Sequence, residues 1–537
     1  MSKINKENKN SNTDLWIVSF LIILSALLRL PNYTKLSLMP DELIYSDYAY
    51  SIIAFGWGWP PDQMYAQPPL FPYLLSILTY LFWGGLEVFR LVPIFFGVLD
   101  VVVLYFLGKA IYNRWVGLLS ALFLAFSSYH ILYSRTVMLE TMLIFFILAA
   151  LYFIWRAYSE NRLLYAAIAG IFIGLGDDTK YSAFLLYPIL ICYLLWINRK
   201  GFRLGWRSLI EKKHLVIIIV SFLVFSPVLI DLILYGVNPL YWQLFERYKL
   251  QFAGYKSVSQ FGIPDLILHG YNNYVGLLID ATPDITNGFK ISSGSIATMS
   301  IPWLFLFEFV AYILLPLTIL YYLYHSLHTK PRESFILIAF LAFNAFAALF
   351  GTRFQYYLLW NVPLFFIMLS NMTFNFTKNI KLKTPSKGQY FKSFMKILVL
   401  LMVGLFLLSY IYIGALSPFV NESIKVGYEK HILNIKENIG IHDSIATDKI
   451  DMLYYYINKY DLKYVTIVPL YELEKKSQMI RLKVNLDLLD AIKPKYIIVA
   501  FYSFSSYATI SDKNMILEKY DLISYENDIL LYKRKSD

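Results

Sequence analysis

Cysteine is almost missing from this sequence: Cys192 is the only one among 537 residues. No intrachain disulfide, thiol pair or cysteine-based zinc finger can therefore form, and a lone thiol in an apolar run does not report a redox compartment. Charge is scarce as well, at 16% Asp, Glu, Lys and Arg against 58% apolar residues and a mean hydropathy of +0.52. That balance excludes a soluble globular chain and calls for a membrane. The net charge of +11 is not a nucleic-acid footprint, because Lys and Arg fall mostly in short loops between apolar runs, where they report topology. The C-terminal tail has no Gly-rich phosphate loop, no HExxH and no GxSxG, so no chemistry is assigned to it.

What the chain does have is eleven apolar runs able to cross about 30 Å of hydrocarbon as helices. They lie roughly at 15 to 30, 90 to 107, 116 to 134, 141 to 156, 163 to 176, 182 to 197, 215 to 235, 302 to 323, 334 to 350, 357 to 375 and 397 to 416. The first follows Lys3, Lys6 and Lys9 and has no small-residue cleavage site before Pro31, so it reads as a retained span or signal anchor. With the amino terminus cytoplasmic, and the run from Leu70 (LFPYLLSILTYLFWGG) laid at the interface, the cationic loops sort to one side. Lys109 and Arg114, Arg156 and Arg162, the cluster from Arg199 to Lys213, Lys330 and Arg332, and the lysines from Lys378 to Lys396 all become cytoplasmic. This is a strong positive-inside bias. Few cations remain outside, chiefly Lys35, Arg90, Arg135, Lys180 and Arg353.

The expected architecture is a polytopic α-helical membrane domain over 1–417, with external loops near 31–89 and 236–300. A small extracytoplasmic α/β domain follows over 418–537. In that tail DSIATD, YVTIVP, KYIIVAFY and DILLYKRK read as strands, with DKIDMLYYYINKY and KVNLDLLDAIK as helices. Asn32 and Asn421 stand in N-x-S/T contexts outside the membrane.

Acids and bases gather at the outer face on this threading. Asp41, Glu42 and Asp47 occupy the first outer loop, which ends in AQPPL; Arg135 and Glu140 occupy the second, in SRTVMLE; Asp177, Asp178 and Lys180 occupy the third, in GLGDDTKYSA. Arg353 follows in GTRFQYYLLWNVP. A charge at mid-bilayer costs about 2.5 to 3.5 kcal/mol on insertion scales, so GDDTK must reach water or a polar cavity, and one shared outer pocket is the economical reading. Each residue also has a plainer role: a solvated acidic pair at Asp41–Glu42, an interfacial anchor at Arg135 paired with Glu140, a snorkelling Lys180, and a chain turn at Gln67, Pro68 and Pro69. Asp100, inside the second span, receives no assignment.

The order of these pieces, DE in the first outer loop, then PPL, then Arg135 to Glu140, then TKY after Gly176, then Arg353, Tyr357 and Pro363, resembles the GT-C superfamily of membrane glycosyltransferases. Within it, the protein O-mannosyltransferase and aminoarabinose-transferase branch is the most similar. The resemblance covers most of the first 200 residues plus the stretch from Arg353 to Pro363, and appended α/β tails are common in the group. It implies a sugar donor carried on polyprenyl phosphate, and an acceptor hydroxyl on protein, glycan or lipid. It also implies transfer at the outer membrane face, among membrane lipids and without nucleic acid. Asp41 is then the base and Glu42 its supporting neighbour. Arg135, Lys180, Arg353 and Tyr357 belong to substrate binding with Gln67, Glu140 and Asp178, the cations stabilising the departing phosphate. Two positions depart from the pattern. Gln67 stands where relatives often carry Lys or His, and Asp177 and Asp178 stand where small or apolar residues are usual. A divalent cation held by those acids with Glu42 or Glu140 stays open, since carboxylates alone do not specify a metal. A transporter or flippase coupled through Asp100, Asp231 and Glu308 is the competing reading; inverted repeats and paired broken helices would favour it, and the sequence has neither.

Overall fold

A computed structural model describes residues 2–36, 40–55, 68–82, 85–197, 211–235, 281–284, 288–291, 302–327, 331–349, 359–378, 387–420, 427–440, 443–447, 462, 465–476, 479–500, 510–526 and 529–535. They form two compact units, one of Met1–Thr34 with Tyr45–Asn421, the other of Lys35–Ile44 with Glu422–Asp537. The ten-residue segment carrying Asp41 and Glu42 thus groups with the C-terminal unit.

The first unit is built from helices. They are α1 (Ser2–Arg29), α2 (Pro40–Phe55, of which the part from Tyr45 belongs here), α3 (Leu70–Phe82), α4 (Leu86–Ile111), α5 (Arg114–Ala125), α6 (Ser128–Ser134), α7 (Glu140–Ser159), α8 (Leu163–Asp177), α9 (Leu186–Ile197) and α10 (Lys212–Tyr235). After a short antiparallel pair, β1 (Ala281–Asp284) and β2 (Gly288–Ile291), come α11 (Pro302–Leu327), α12 (Pro331–Leu349), α13 (Val362–Lys378) and α14 (Lys387–Val420). Every predicted apolar run carries helix. Among the described residues, five helices are individually long and apolar enough to cross a membrane, and a sixth is obtained if α5 and α6 count as one broken span. The run from Leu70 is a helix of 13 residues, and most of the 236–300 connection lies outside the described residues. α1 shows the lipid-facing character directly, exposing Leu15, Trp16, Phe20, Ile23 and Leu27 while Leu21, Ser25 and Arg29 are buried.

The predicted span 116–134 is not one helix. It breaks at Phe126–Ser127 and bends by 65°. Ser127 takes an extended conformation with ψ 110, and a Ser-Ser step offers hydroxyls that compete with helical hydrogen bonding. The apolar stretch of α1, Asn12–Arg29, is stitched to its neighbours at both ends. Near the start of that stretch, Asp14 pairs with Lys109, accepts from Tyr105 Oη at 2.6 Å, and lies 3.1 Å from Arg114 Nε. Beyond its end, the Pro31 carbonyl accepts from Arg135 Nη2 at 2.6 Å and the Tyr33 carbonyl from Arg90 Nη1 at 2.9 Å. Fifteen residues of helix hold these two belts about 22 Å apart.

α8 and α10 meet along a glycine seam. A Cβ on Gly170 would lie 2.7 Å from the Ile217 carbonyl, and one on Gly174 2.7 Å from the Ser221 carbonyl and 2.6 Å from Val224 Cβ. This small-xxx-small spacing lets two backbones approach where lipid supplies no hydrophobic drive.

In the second unit, β3 (Ser444–Thr447), β4 (Thr466–Pro469), β7 (Tyr496–Ala500), β8 (Tyr520–Glu526) and β9 (Ile529–Arg534) form a sheet in the order β4-β3-β7-β9-β8. The first three strands run parallel and β9 is antiparallel to both neighbours. β5 (Tyr471–Lys476) and β6 (Met479–Val484) make a separate hairpin, and α15 (Gly427–Ile435), α16 (Leu486–Ile492) and α17 (Ile510–Lys519) complete the unit. Four sheet strands lie in segments read as strands from sequence; the hairpin, α17 and β8 were not foreseen. Lys483 and Val484, read as the start of a helix, end β6 instead, and α16 begins after Asn485, whose side chain caps it by accepting from Leu488 N at 3.0 Å. The predicted helix 448–460 lies outside the described residues.

Gly174→Val is expected to abolish correct packing of α8 on α10, read as loss of the monodisperse peak in size-exclusion chromatography in detergent. Leu223→Val on the exposed side of α10 should leave the peak unchanged, and equal profiles for both variants would contradict the seam.

Candidate active site

Three of the sequence motifs meet around one buried ion pair in the first unit. Glu140 opens α7 and accepts at Oε1 from Lys180 Nζ at 2.9 Å, with side-chain exposures of 1% and 6%. Lys180 follows the turn after α8, and its ammonium lies 5.3 Å from the centre of the Trp360 ring, within cation–π range. The backbone N–H of Leu70, the last residue of AQPPL, donates to the Asp178 carbonyl at 3.2 Å. The second and third outer motifs and the region before α13 therefore converge, and the Pro-Pro step is tied to the same loop.

Why the chain folds this way locally follows from the third motif. α8 ends at Asp177, and the Thr179 and Lys180 N–H groups turn back to the Gly176 carbonyl at 3.0 and 2.9 Å. Thr179 Oγ1 returns to the Leu175 carbonyl at 2.8 Å. Lys180 then starts an extended step into the 3₁₀ turn Tyr181–Leu185. Asp177 and Asp178 diverge. Asp177 Oδ2 accepts from Tyr187 Oη at 2.9 Å, and that hydroxyl is 2.9 Å from Ser221 Oγ on α10. Asp178 stays near Tyr181; burial pushes its carboxyl up to about 7.

Arg135 caps α6 and is buried, held by the Pro31 carbonyl. Burial, with the neighbouring charge of Arg90, pulls its guanidinium down to about 10. Two like charges in a low-dielectric setting favour an anion between them. Glu140 is paired with Lys180 rather than with Arg135, which corrects the structural partner expected from sequence. In the second unit, Asp41 and Glu42 occupy the first turn of α2, Asp41 half-buried and Glu42 fully buried. Gln67, Arg353 and Tyr357 lie outside the described residues, as do the side chains of Asp47, Asp231 and Glu308.

Sequence reading missed Trp360, Asn361 and Arg90. Trp360 and Asn361 stand inside the quoted GTRFQYYLLWNVP; a Trp-Asn step before an apolar helix was a usable signal. Both amide atoms of Asn361 are buried without a hydrogen-bond partner, the state expected of a group that meets a polar ligand. Among the described residues, no three His, Cys, Asp or Glu side chains come together to hold a metal ion.

Lys180→Ala leaves a buried carboxylate alone, at a cost on the order of 3 to 5 kcal/mol. A large fall in apparent melting temperature is expected, mostly recovered in Lys180→Met with Glu140→Leu; an unshifted single variant would contradict the pair. Asp178 gives a pH signature. Its folded pKa is raised from 3.8 to about 7, so its contribution to stability is full below 3.8 and lost as pH rises through 7. The melting temperature of Asp178→Asn should gain on the parent across that window and run parallel above it. A constant difference would show that Asp178 does not titrate there.

The family model described as dolichyl-phosphate-mannose-protein mannosyltransferase matches residues 66–230, the stretch that supplies AQPPL, Arg135, Glu140 and the GDDTK loop. No curated protein sequence matches. In fold, the chain is similar to the Archaeoglobus fulgidus oligosaccharyltransferase, with a TM-score of 0.54 at 16% identity, covering 97% of this chain and 74% of that one. It is also similar to ArnT from Cupriavidus metallidurans, solved bound to undecaprenyl phosphate, with a TM-score of 0.51 at 10% identity and 96% and 97% covered. Residues 66–230 thus match that mannosyltransferase family model, and this integral membrane protein shares the fold of these two membrane enzymes.

Proposed function

We propose that this protein transfers a sugar from a polyprenyl monophosphate to a hydroxyl on protein, glycan or lipid, at the outer face of a membrane crossed by about eleven helices. The amino terminus is cytoplasmic and the C-terminal α/β unit extracytoplasmic in this reading. The observation that carries it is the buried Glu140–Lys180 pair, with Trp360 against the ammonium and the Asp178 loop tied to Leu70. It gathers the motifs of the resemblance at one place in a membrane unit that is otherwise apolar. The fold neighbours support the donor class: ArnT was solved with undecaprenyl phosphate, and an archaeal oligosaccharyltransferase with a dolichol-phosphate and an inhibitory peptide.

In the proposed step Asp41 takes the proton from the acceptor hydroxyl, and that oxygen forms a bond to the anomeric carbon from the face opposite the lipid phosphate. The bond from the anomeric carbon to the phosphate oxygen breaks, its electron pair leaving with the phosphate, so configuration inverts. Glu42, buried beside the base, supports it. Arg135 and Arg353 carry the phosphate charge, with planar forks suited to two of its oxygens. Lys180, pinned between a carboxylate and an indole, is a fixed point charge rather than a mobile surface lysine. Gln67, Asp178 and Tyr357 are assigned to binding of the sugar or acceptor by the resemblance.

Purified protein supplied with a panel of polyprenyl-phosphate sugars and hydroxyl acceptors should transfer one of them. Asp41→Asn should lower that rate by about 10² to 10⁴ while still binding donor. Transfer at the parental rate by the variant removes Asp41 as the base.

A further inference from the structure

Three buried groups that the proposed chemistry leaves unused meet inside the first unit. Arg29 Nη2 lies 2.8 Å from His130 Nδ1, and His130 Nε2 lies 2.9 Å from Asp100 Oδ2; all three side chains are fully buried. A guanidinium only donates, so Nδ1 must accept, the imidazole proton sits on Nε2, and Nε2–H donates to Asp100. The histidine is a neutral bridge between a cation and a carboxyl on different helices. Such a network, buried among apolar helices, is costly to dehydrate.

Its remaining bonds show where it acts. Arg29 Nη1 donates to Ser25 Oγ at 2.8 Å and to the Ser25 and Ala125 carbonyls at 3.1 and 3.4 Å, and Nε donates to Ser134 Oγ at 3.2 Å. Ser134 also donates to the His130 carbonyl. Gly97 on α4 makes room for this contact: a Cβ there would lie 2.7 Å from Ser134 Cβ and 3.2 Å from Arg29 Nε. Ser134 is the residue before Arg135. Arg29 is two residues before Pro31, whose carbonyl holds the Arg135 guanidinium at 2.6 Å. One side chain therefore anchors both the backbone that carries Arg135 and the segment that supplies its acceptor.

We propose that Asp100, His130 and Arg29 form a positioning relay that fixes the Arg135 guanidinium for the donor phosphate without touching the donor. The proposal rests on the reading of Arg135 as a phosphate contact. A network that merely held helices together would change stability and leave the effect of Arg135 on ligand affinity independent of it; a relay makes the two effects non-additive.

The test is a double-mutant cycle on the full-length protein in nanodiscs, with undecaprenyl monophosphate as the probe and binding followed by titration. His130→Gln keeps an N–H at the Nε2 position toward Asp100 but has no acceptor at the Nδ1 position that faces Arg29. Affinity should fall about tenfold in His130→Gln and at least as far in Arg135→Ala, and the double variant should bind no more weakly than Arg135→Ala alone. Parental affinity in His130→Gln, or a double variant that loses both factors in full, overturns the relay. Parental affinity in Arg135→Ala overturns the phosphate role of that residue first, and the relay with it. Should His130→Gln not fold, Ser134→Ala removes the Arg29 Nε contact without altering a charge and takes its place in the same cycle, with the same two outcomes.

Discussion

The Glu140–Lys180 ion pair is the interaction on which the arrangement of the membrane unit's polar end depends. Dehydrating two charges costs several kcal/mol each, and only close geometry with further partners offsets it. Here the partners come from separate parts of the chain: the start of α7, the turn after α8, and Trp360 before α13. Neither charge can be satisfied unless all three segments arrive together. The pair therefore specifies an arrangement more than it adds stability.

Around it, the helices solve the problem of carrying charge in an apolar solvent by placing it where backbone carbonyls lack helical partners. The turn after α1 offers the carbonyls of Pro31 and Tyr33, and Arg135 and Arg90 take them. Where the apolar stretch of α1 begins, Asp14 gathers Lys109, Arg114 and Tyr105. That stretch is thus pinned at both ends by charged side chains, while its outward side is greasy. The two groups of cations do different work, Lys109 and Arg114 tied to a single acid, Arg135 and Arg90 to backbone carbonyls.

Much of this was legible in the sequence, and the reasons differ by feature. Apolar runs of the right length gave every major helix, because hydrocarbon thickness fixes length whatever the packing. The co-location of Glu140, Lys180 and Asp178 was readable from positive-inside sorting, since cations left on the wrong side by that rule need another reason to be there. Their pairing was not readable: Glu140 is five residues from Arg135 and forty from Lys180, and local spacing pointed to the nearer cation. The break at Ser127 was hidden because hydropathy averages over it. Asp100, unassigned on sequence, gained its meaning only when the bend brought His130 onto α4. In the C-terminal unit, alternation revealed the apolar strands, while the charged YELEKK strand has no apolar face to announce it and pairs through its backbone.

The capping of α5 by Arg29 bears on how the protein is made. Arg29 reaches the Ala125 carbonyl and His130 across separations of 96 and 101 residues. A nascent first helix therefore enters the bilayer with an arginine whose partners other than Ser25 have not yet been synthesised. Until the ribosome delivers them, that side chain has to reach up to the headgroups, as long basic side chains near helix ends do. Lateral exit of α1 into lipid and final burial of its arginine are consequently separate events in biogenesis, the second waiting on α5 and α6 to emerge.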